Sequence, residues 1–275
     1  MGLWDFVKGQ LRSVIEWTTA NDNKDALFEK WSDRGDEIKN ASKLIVNPGQ
    51  GCIFVYEGKV EAVLTEAGIV ELKTSNVPFW TTIKNFMQAF QSHHKVGIYF
   101  FRKTNILDQK WGTPSAIKYE DPKYKFPVGL RAFGNYTFKV MDAGSFFVNF
   151  VGGHNDFTIT QFKQMMNARI MQPLTDYMAE CKYSYAEIDA QRMELSEGIY
   201  QRLQPEFQKL GFEISDFRIE GTSFDEKTQE RIDRISDATA DAQAAAAVGL
   251  NYAQMQQLGA MRDAAKNEGG AAGMG

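Results

Sequence analysis

Histidine and cysteine are scarce, and that scarcity removes most site chemistry at the outset. The 275 residues hold three histidines and two cysteines. Cys52 and Cys181 lie far apart in sequence, and two thiolates cannot complete an all-cysteine zinc site, which needs four. Both read as small buried hydrophobes of a reducing compartment. His93 and His94 are adjacent, so on extended backbone they point to opposite sides and do not converge on one ion. With His154 they form no triad or metal spacing, and Asp142, Asp156 and Asp176 read as cap or surface acids. No catalytic residue, cofactor or metal is expected, and the chain is not expected to be an enzyme.

Long apolar runs are also missing. VGIYFF (96–101) and FFVNFVGG (146–153) are the strongest, and both fall far short of the roughly 20 residues of a membrane-spanning helix. Asp5, Lys8, Arg12 and Glu16 interrupt any signal-peptide core. Phe6 stands where a myristoylation motif wants Ser or Thr. No dense Lys/Arg cluster occurs and the formal net charge is -4, which argues against nucleic acid as a partner. The expected location is therefore cytoplasmic. Hydrophobic content of 43% against 24% charged residues is that of a globular chain with enough apolar material for a core.

What is present is periodicity. Residues 2–18, GLWDFVKGQLRSVIEWT, repeat apolar side chains at spacings of three and four, and a helix is expected. Leu3, Trp4, Phe6, Val7, Leu11, Val14 and Ile15 are its candidate membrane or partner contacts. Such a stripe fits a membrane interface, and it equally fits docking on protein. NKDALFEKWSD reads as a second helix with Leu27, Phe28 and Trp31 on a narrow stripe. From Ser42 the period shortens to that of strands, broken at Pro48–Gly51, Glu57–Lys59 and Glu66–Gly68, as in antiparallel hairpins. The PGQG loop lacks the Gly-Lys-Ser/Thr ending of a phosphate cradle and reads as a turn. Pro78 opens a helical stretch with Phe79, Ile83, Phe86 and Phe90 on one stripe. Pro114, Pro122 and Pro127 then mark a seam between subdomains.

The best-punctuated stretch is Leu130–Glu220. A strand with one buried and one wet face, LRAFGNYTFKV, runs into a short helix. Two long helices follow, carrying Phe162, Met166, Ile170, Leu174 and Met178, then Leu195, Ile199, Leu203 and Phe207. Pro173 should kink the first, and Gly211 suits the cap of the second. FEISDFRIEG returns as a strand whose face slips at Ser215–Asp216, as at a bulge. A capping-box signal at Ser223–Glu226 opens a long Ala-rich helix to about Lys266. Its seam reads Ile232, Ile235, Thr239, Ala242, Ala246, Gly249, Ala253, Gln256, Ala260. Small seam residues let helices approach closely but bury little area per contact, so the pattern fits a many-membered assembly and equally fits a solvated helix. The tail GGAAGMG is expected to be disordered.

Taken in order, these stretches resemble the SPFH/band-7 superfamily of stomatin, prohibitin and flotillin. LIVNPGQGCIFVYEGKVEAVLTEAGIVEL, LRAFGNYTFKVMDAGSFFVNF and LQPEFQKLGFEISDFRIEGTSFDEKTQERI carry the likeness, over about residues 42–235. The "Val-Ile-Glu-Trp", "Leu-Phe-x-Lys-Trp" and "Lys-Trp-Gly-Thr" stretches are most similar to a soluble bacterial, virion-core-protein-like branch. Members of that branch often carry a C-terminal zinc ribbon, and no CxxC is present here. The resemblance implies an α+β fold. Its expected parts are N-terminal helices (1–41), a first β-rich subdomain (42–128), a second α/β subdomain (129–224), an Ala-rich assembly helix (225–267) and a tail (268–275). It also implies a homo-oligomeric scaffold, peripheral at the inner face of the cell membrane, that organises lipids or partner proteins. Residues 2–18 would then touch the membrane surface or an integral membrane protein, and Ile232, Ile235, Ala242, Ala246 and Ala253 would make oligomer contacts. The alternative is a soluble adaptor in envelope stress or proteolysis control that reaches the membrane only through a protein partner.

Overall fold

The structure is a computed structural model that describes residues 14–18, 23–31, 41–72, 81, 85, 96–152, 154–247, 257 and 259–261. Its strands form three sheets. The longest strand, β10 (Pro127–Val140), is the spine of the main core. It lies between β8 (Ile106–Gly112) and β12 (Phe212–Phe224), with β9 (Ile117–Glu120) pairing its first residues. Alternation along β10 turns Val128, Leu130, Ala132, Tyr136, Phe138 and Val140 into the core, as the period of two requires.

Two helices cover that face. α2 (Ile159–Cys181) buries Phe162, Met166, Ile170, Leu174 and Met178, and α3 (Arg192–Gln208) buries Leu195, Ile199, Leu203 and Phe207. These are the residues that the helical spacing selects. α2 starts in a capping box: the Gln161 amide N–H donates to Thr158 Oγ1 at 3.1 Å and the Thr158 N–H donates to Gln161 Oε1 at 2.8 Å. It continues as one helix past Pro173. Aromatic rings lock helices to sheet, with Phe138 stacked on Phe162 at 4.0 Å and Phe212 at 4.4 Å from Phe162. Gly211, at φ +83°, takes the left-handed conformation that ends the α3 turn, and its carbonyl accepts from the N–H groups of Met141 and Asp142. A short helix α1 (Ala143–Phe146), capped by Asp142, runs into a π-helical turn (Phe147–Val151).

The slip expected at Ser215–Asp216 is a bulge in the β10–β12 ladder: Thr137 pairs Asp216 and Phe138 pairs Ile214, leaving Ser215 extra. A second shift, which leaves Glu220 extra, lies between Phe133 and Gly134.

The hairpin region forms strands β3 (Lys43–Val46), β4 (Gln50–Tyr56), β5 (Lys59–Leu64) and β6 (Gly68–Glu71). β4 and β7 (Val96–Arg102) are central in a five-stranded sheet ordered β11 (Asp156–Thr158), β2 (Ala26–Lys30), β7, β4, β5. That sheet is covered on both faces. Ile53, Val55, Tyr99 and Phe101 join the main core, while Cys52, Phe54, Ile98 and Phe100 join a second core with Ile15, Trp17, Leu44 and Val46. Burial on two faces explains why these strands read as continuous apolar runs. Burial also pushes the Cys52 thiol up from its ordinary pKa. Both cysteines are free thiols.

Parts of two expected helices are strands instead. NKDALFEKWSD contains β2 (Ala26–Lys30), which pairs with β7 and with β11 (Asp156–Thr158). Leu27 and Phe28, adjacent in sequence, are both buried in the main core, because a bulge opposite β11 leaves Leu27 as an extra residue between Ala26 and Phe28. The last part of the expected N-terminal helix is β1 (Val14–Glu16), parallel to β3 in a three-stranded sheet with β6. Of the stretch opened by Pro78, Thr81 and Asn85 are helical. Its stripe of Phe79, Ile83, Phe86 and Phe90, with His93 and His94, lies outside the described residues.

Candidate assembly surface

The expected contact residues fall into two groups. Leu3, Trp4, Phe6, Val7 and Leu11 lie outside the described residues. Val14 and Ile15 are described, and Ile15 corrects the expectation: it is fully buried in β1. The neighbouring residues show why. The Trp31 indole N–H donates to the Glu16 carbonyl at 3.0 Å, and the Trp17 indole N–H donates to Glu29 Oε2 at 2.8 Å. Trp17 also lies against Phe100, ring centroids 6.1 Å apart, with the Arg102 guanidinium 5.7 Å over its ring. The "Val-Ile-Glu-Trp" stretch is thus woven into the second core, and no membrane contact can be made by Ile15 while that core is intact.

The second group belongs to α4 (Glu226–Ala247). Its N-cap is Asp225 rather than Ser223: Asp225 Oδ1 accepts from the Thr228 N–H at 3.0 Å. The helix leaves the domain at the end of β12, where Phe224 pairs Leu130. One residue later the ladder along β10 is continued by the helix turn itself. The Asp225 N–H donates to the Gly129 carbonyl at 2.9 Å, and the Gly129 N–H donates to Thr228 Oγ1 at 2.9 Å. Thr228 is buried, at 2% exposure. Arg231 Nη1 donates to the Pro127 carbonyl at 3.1 Å.

Gly129 is required by this packing, since a Cβ there would lie 2.2 Å from Asp225 Oδ2. The Thr228 hydroxyl and backbone N–H, together with Lys118 and Lys227, hold the Asp225 carboxyl below the usual carboxylate range. Past Arg231 the helix stands away from the domain. Ile232 and Ile235 are half-buried, Ala242 and Ala246 are exposed, and Ala253 lies outside the described residues. Arg234 and Thr239 hydrogen-bond back to the helix carbonyls of Glu230 and Ile235.

Another feature escaped the sequence reading. Asp121, in the Pro-rich seam, is fully buried. Its carboxylate accepts from the N–H groups of Lys123 (2.9 Å), Tyr124 (2.8 Å) and Tyr185 (2.8 Å) and from the Ser184 hydroxyl (3.1 Å). Burial alone would raise its pKa, but these four hydrogen bonds outweigh it and hold the group below its ordinary value. Asp121 thereby ties the β9–β10 hairpin to the α2–α3 connection. The Asp-Pro dipeptide signals the turn; the contact with Ser184 and Tyr185 is non-local and leaves no trace in sequence spacing.

A groove of about 890 Å³ runs between α3 and β12, lined by residues that include Tyr177, Arg192, Met193, Phe217 and Arg218. Its polar groups pair with each other: Arg218 Nε lies 2.7 Å from Asp216 Oδ2, and Ser196 Oγ accepts from the Ile219 N–H at 3.1 Å. Among the described residues no group of three His, Cys, Asp or Glu side chains is arranged to hold a metal, and no helix is long and apolar enough to cross a membrane.

The mixed α+β architecture, with its several antiparallel sheets, is consistent with a band-7 domain. The chain belongs to the SPFH domain–Band 7 family, whose model matches residues 28–240. It is 28% identical over 229 residues to YdjI of Bacillus subtilis (strain 168), described as uncharacterized; the match covers 82% of this chain and 69% of YdjI.

Proposed function

We propose that the protein is a non-enzymatic scaffold that assembles with copies of itself and works at the cytoplasmic face of the membrane, organising lipids or partner proteins. The observation that carries this reading is α4: in a band-7 domain, a helix held rigidly at its root presents half-buried Ile232 and Ile235 and exposed Ala242 and Ala246 on a free shaft. A helix whose apolar stripe is not used by its own domain is a surface for a neighbour. The experiment is light scattering of the full chain against a chain lacking 225–275. The full chain is expected to form a defined oligomer and the truncated chain a smaller species. A full chain that stays monomeric at micromolar concentration overturns the reading.

Membrane contact is assigned to the segment carrying Leu3, Trp4, Phe6, Val7 and Leu11, which have the composition of an interfacial helix. The burial of Ile15 and Trp17 favours a second reading, in which this segment docks on an integral membrane protein and lipid is met only through that partner. Liposome flotation separates the two. A Phe6→Asp, Leu11→Asp variant is expected to float less than wild type under the first reading, and a wild type that does not float without a co-expressed partner supports the second.

A further inference from the structure

The root of α4 holds more contacts than a helix exit needs. A cap alone satisfies the first free N–H groups of a helix, and Asp225 supplies that. Three further interactions tie the helix sideways to β10. The Asp225 N–H and the Thr228 hydroxyl take the carbonyl and the N–H of Gly129, and Arg231 reaches the carbonyl of Pro127. Positions 225, 228 and 231 are three apart, so they lie on one side of the helix, spread over about 9 Å of its axis. Two separated attachment points on one side fix the tilt of a rod, and a side-specific attachment fixes its rotation. Gly129 lets the carboxylate of Asp225 sit where any other residue would place a Cβ.

We infer that Gly129, Asp225, Thr228 and Arg231 form a clamp that sets the launch angle of α4 and, through it, the number of copies in the assembly. This rests on the scaffold reading given above. From Asp225 to Ala247 the helix is about 33 Å long, so a 10° change at the root moves its far end by about 6 Å. That is a large part of the 8–10 Å that separates packed helix axes. From Ser236 to Ala244 the shaft is exposed and carries no correcting contact of comparable kind with its own domain. In a closed assembly of identical copies the angle between neighbours fixes the copy number. An assembly built through such a shaft therefore reads its geometry from the root. Thr228, Arg231 and Gly129 act as positioning residues: they aim the surface on which a neighbour packs.

The test uses the full chain and two readouts. Thr228→Val keeps the branched shape and removes the acceptor, Thr228→Ser keeps the acceptor, and Arg231→Ala removes the outer tether. Copy number is read by mass photometry and electron microscopy. Launch angle is read by spin-label distances between Glu120→Cys on β9 and Ala244→Cys, an exposed position off the seam of α4, in a Cys181→Ser background diluted with unlabelled chain. Wild type and Thr228→Ser are expected to give one copy number and a narrow distance distribution. Thr228→Val combined with Arg231→Ala is expected to widen the distribution at least twofold and to give several copy numbers. Should the combined variant fail to fold, Arg231→Ala alone carries the comparison, since that side chain is exposed. An unchanged copy number in folded variants of an assembling wild type overturns the clamp while the scaffold reading stands. A wild type that is monomeric overturns the scaffold reading and the copy-number role together, which separates the two failures.

Discussion

Asp121 shows how much a single side chain can hold in this fold. Four donors from two chain segments meet its carboxylate in a place without solvent access. Replacing it by alanine leaves those donors without a partner in a buried site, and hydrogen bonds to a charged group are the costly ones to lose. Asp121→Ala is expected to destabilise the domain by about 3 kcal/mol or more, read as a lowered midpoint in urea unfolding. The pH dependence follows from the direction of the shift. The folded pKa is depressed, so the contribution is fully present above the unfolded value, about 3.9, and is lost as pH falls further through the folded value. Wild type should therefore lose stability below about pH 4, and Asp121→Asn should show a shallower loss over the same range. Lys182 is a second such position. It ends α2 at φ +46°, a left-handed conformation that suits glycine. Lys182→Gly is expected to cost little, and to stabilise by up to about 1 kcal/mol, checked by thermal unfolding.

At the scale of elements, β1 is where sequence and structure part. Val14, Ile15 and Trp17 continue the helical spacing that begins at Leu3, so a local pattern favours a helix. Three residues of parallel pairing with β3 and the burial of Ile15 and Trp17 prevail instead. Tertiary contact overrides propensity most easily in a segment this short. β2 differs for another reason: a bulge opposite β11 leaves Leu27 extra, so adjacent Leu27 and Phe28 both enter the main core and the period of two that would identify a strand disappears. By contrast β10, α2, α3 and β12 were legible, down to the bulge at Ser215, because each gathers its large core side chains on one face and so keeps its period. The α4 root was legible as a helix start but not as an attachment, since Gly129 and Thr228 are brought together from distant parts of the chain. The correction at β1 changes what a membrane test can use. Ile15→Asp would place a charge in the second core and is expected to unfold that region, by several kcal/mol, with a loss seen in near-UV circular dichroism.

At the scale of the whole molecule, the question is whether α4 is a solvated rod or a packing surface, and residue size separates the two. Leu has nearly the helix propensity of Ala, so Ala242→Leu and Ala246→Leu on a solvated helix should change neither stability nor mass. If neighbouring helices approach closely along this seam, the same changes force axes apart and introduce overpacking worth about 1–3 kcal/mol per site. Repeated in every copy of an assembly, that penalty should dissociate it. Ile235→Asp tests the other half of the idea. On a half-buried position it costs the single domain little, but in a packed seam it buries a charge against apolar neighbours. The expected pattern is that all three substitutions lower the assembled mass in light scattering while the unfolding midpoint of the domain stays within about 1 kcal/mol of wild type. Loss of mass with Ile235→Asp alone would place the contact at the root end of α4, and unchanged mass in all three would leave the helix without a partner along this face.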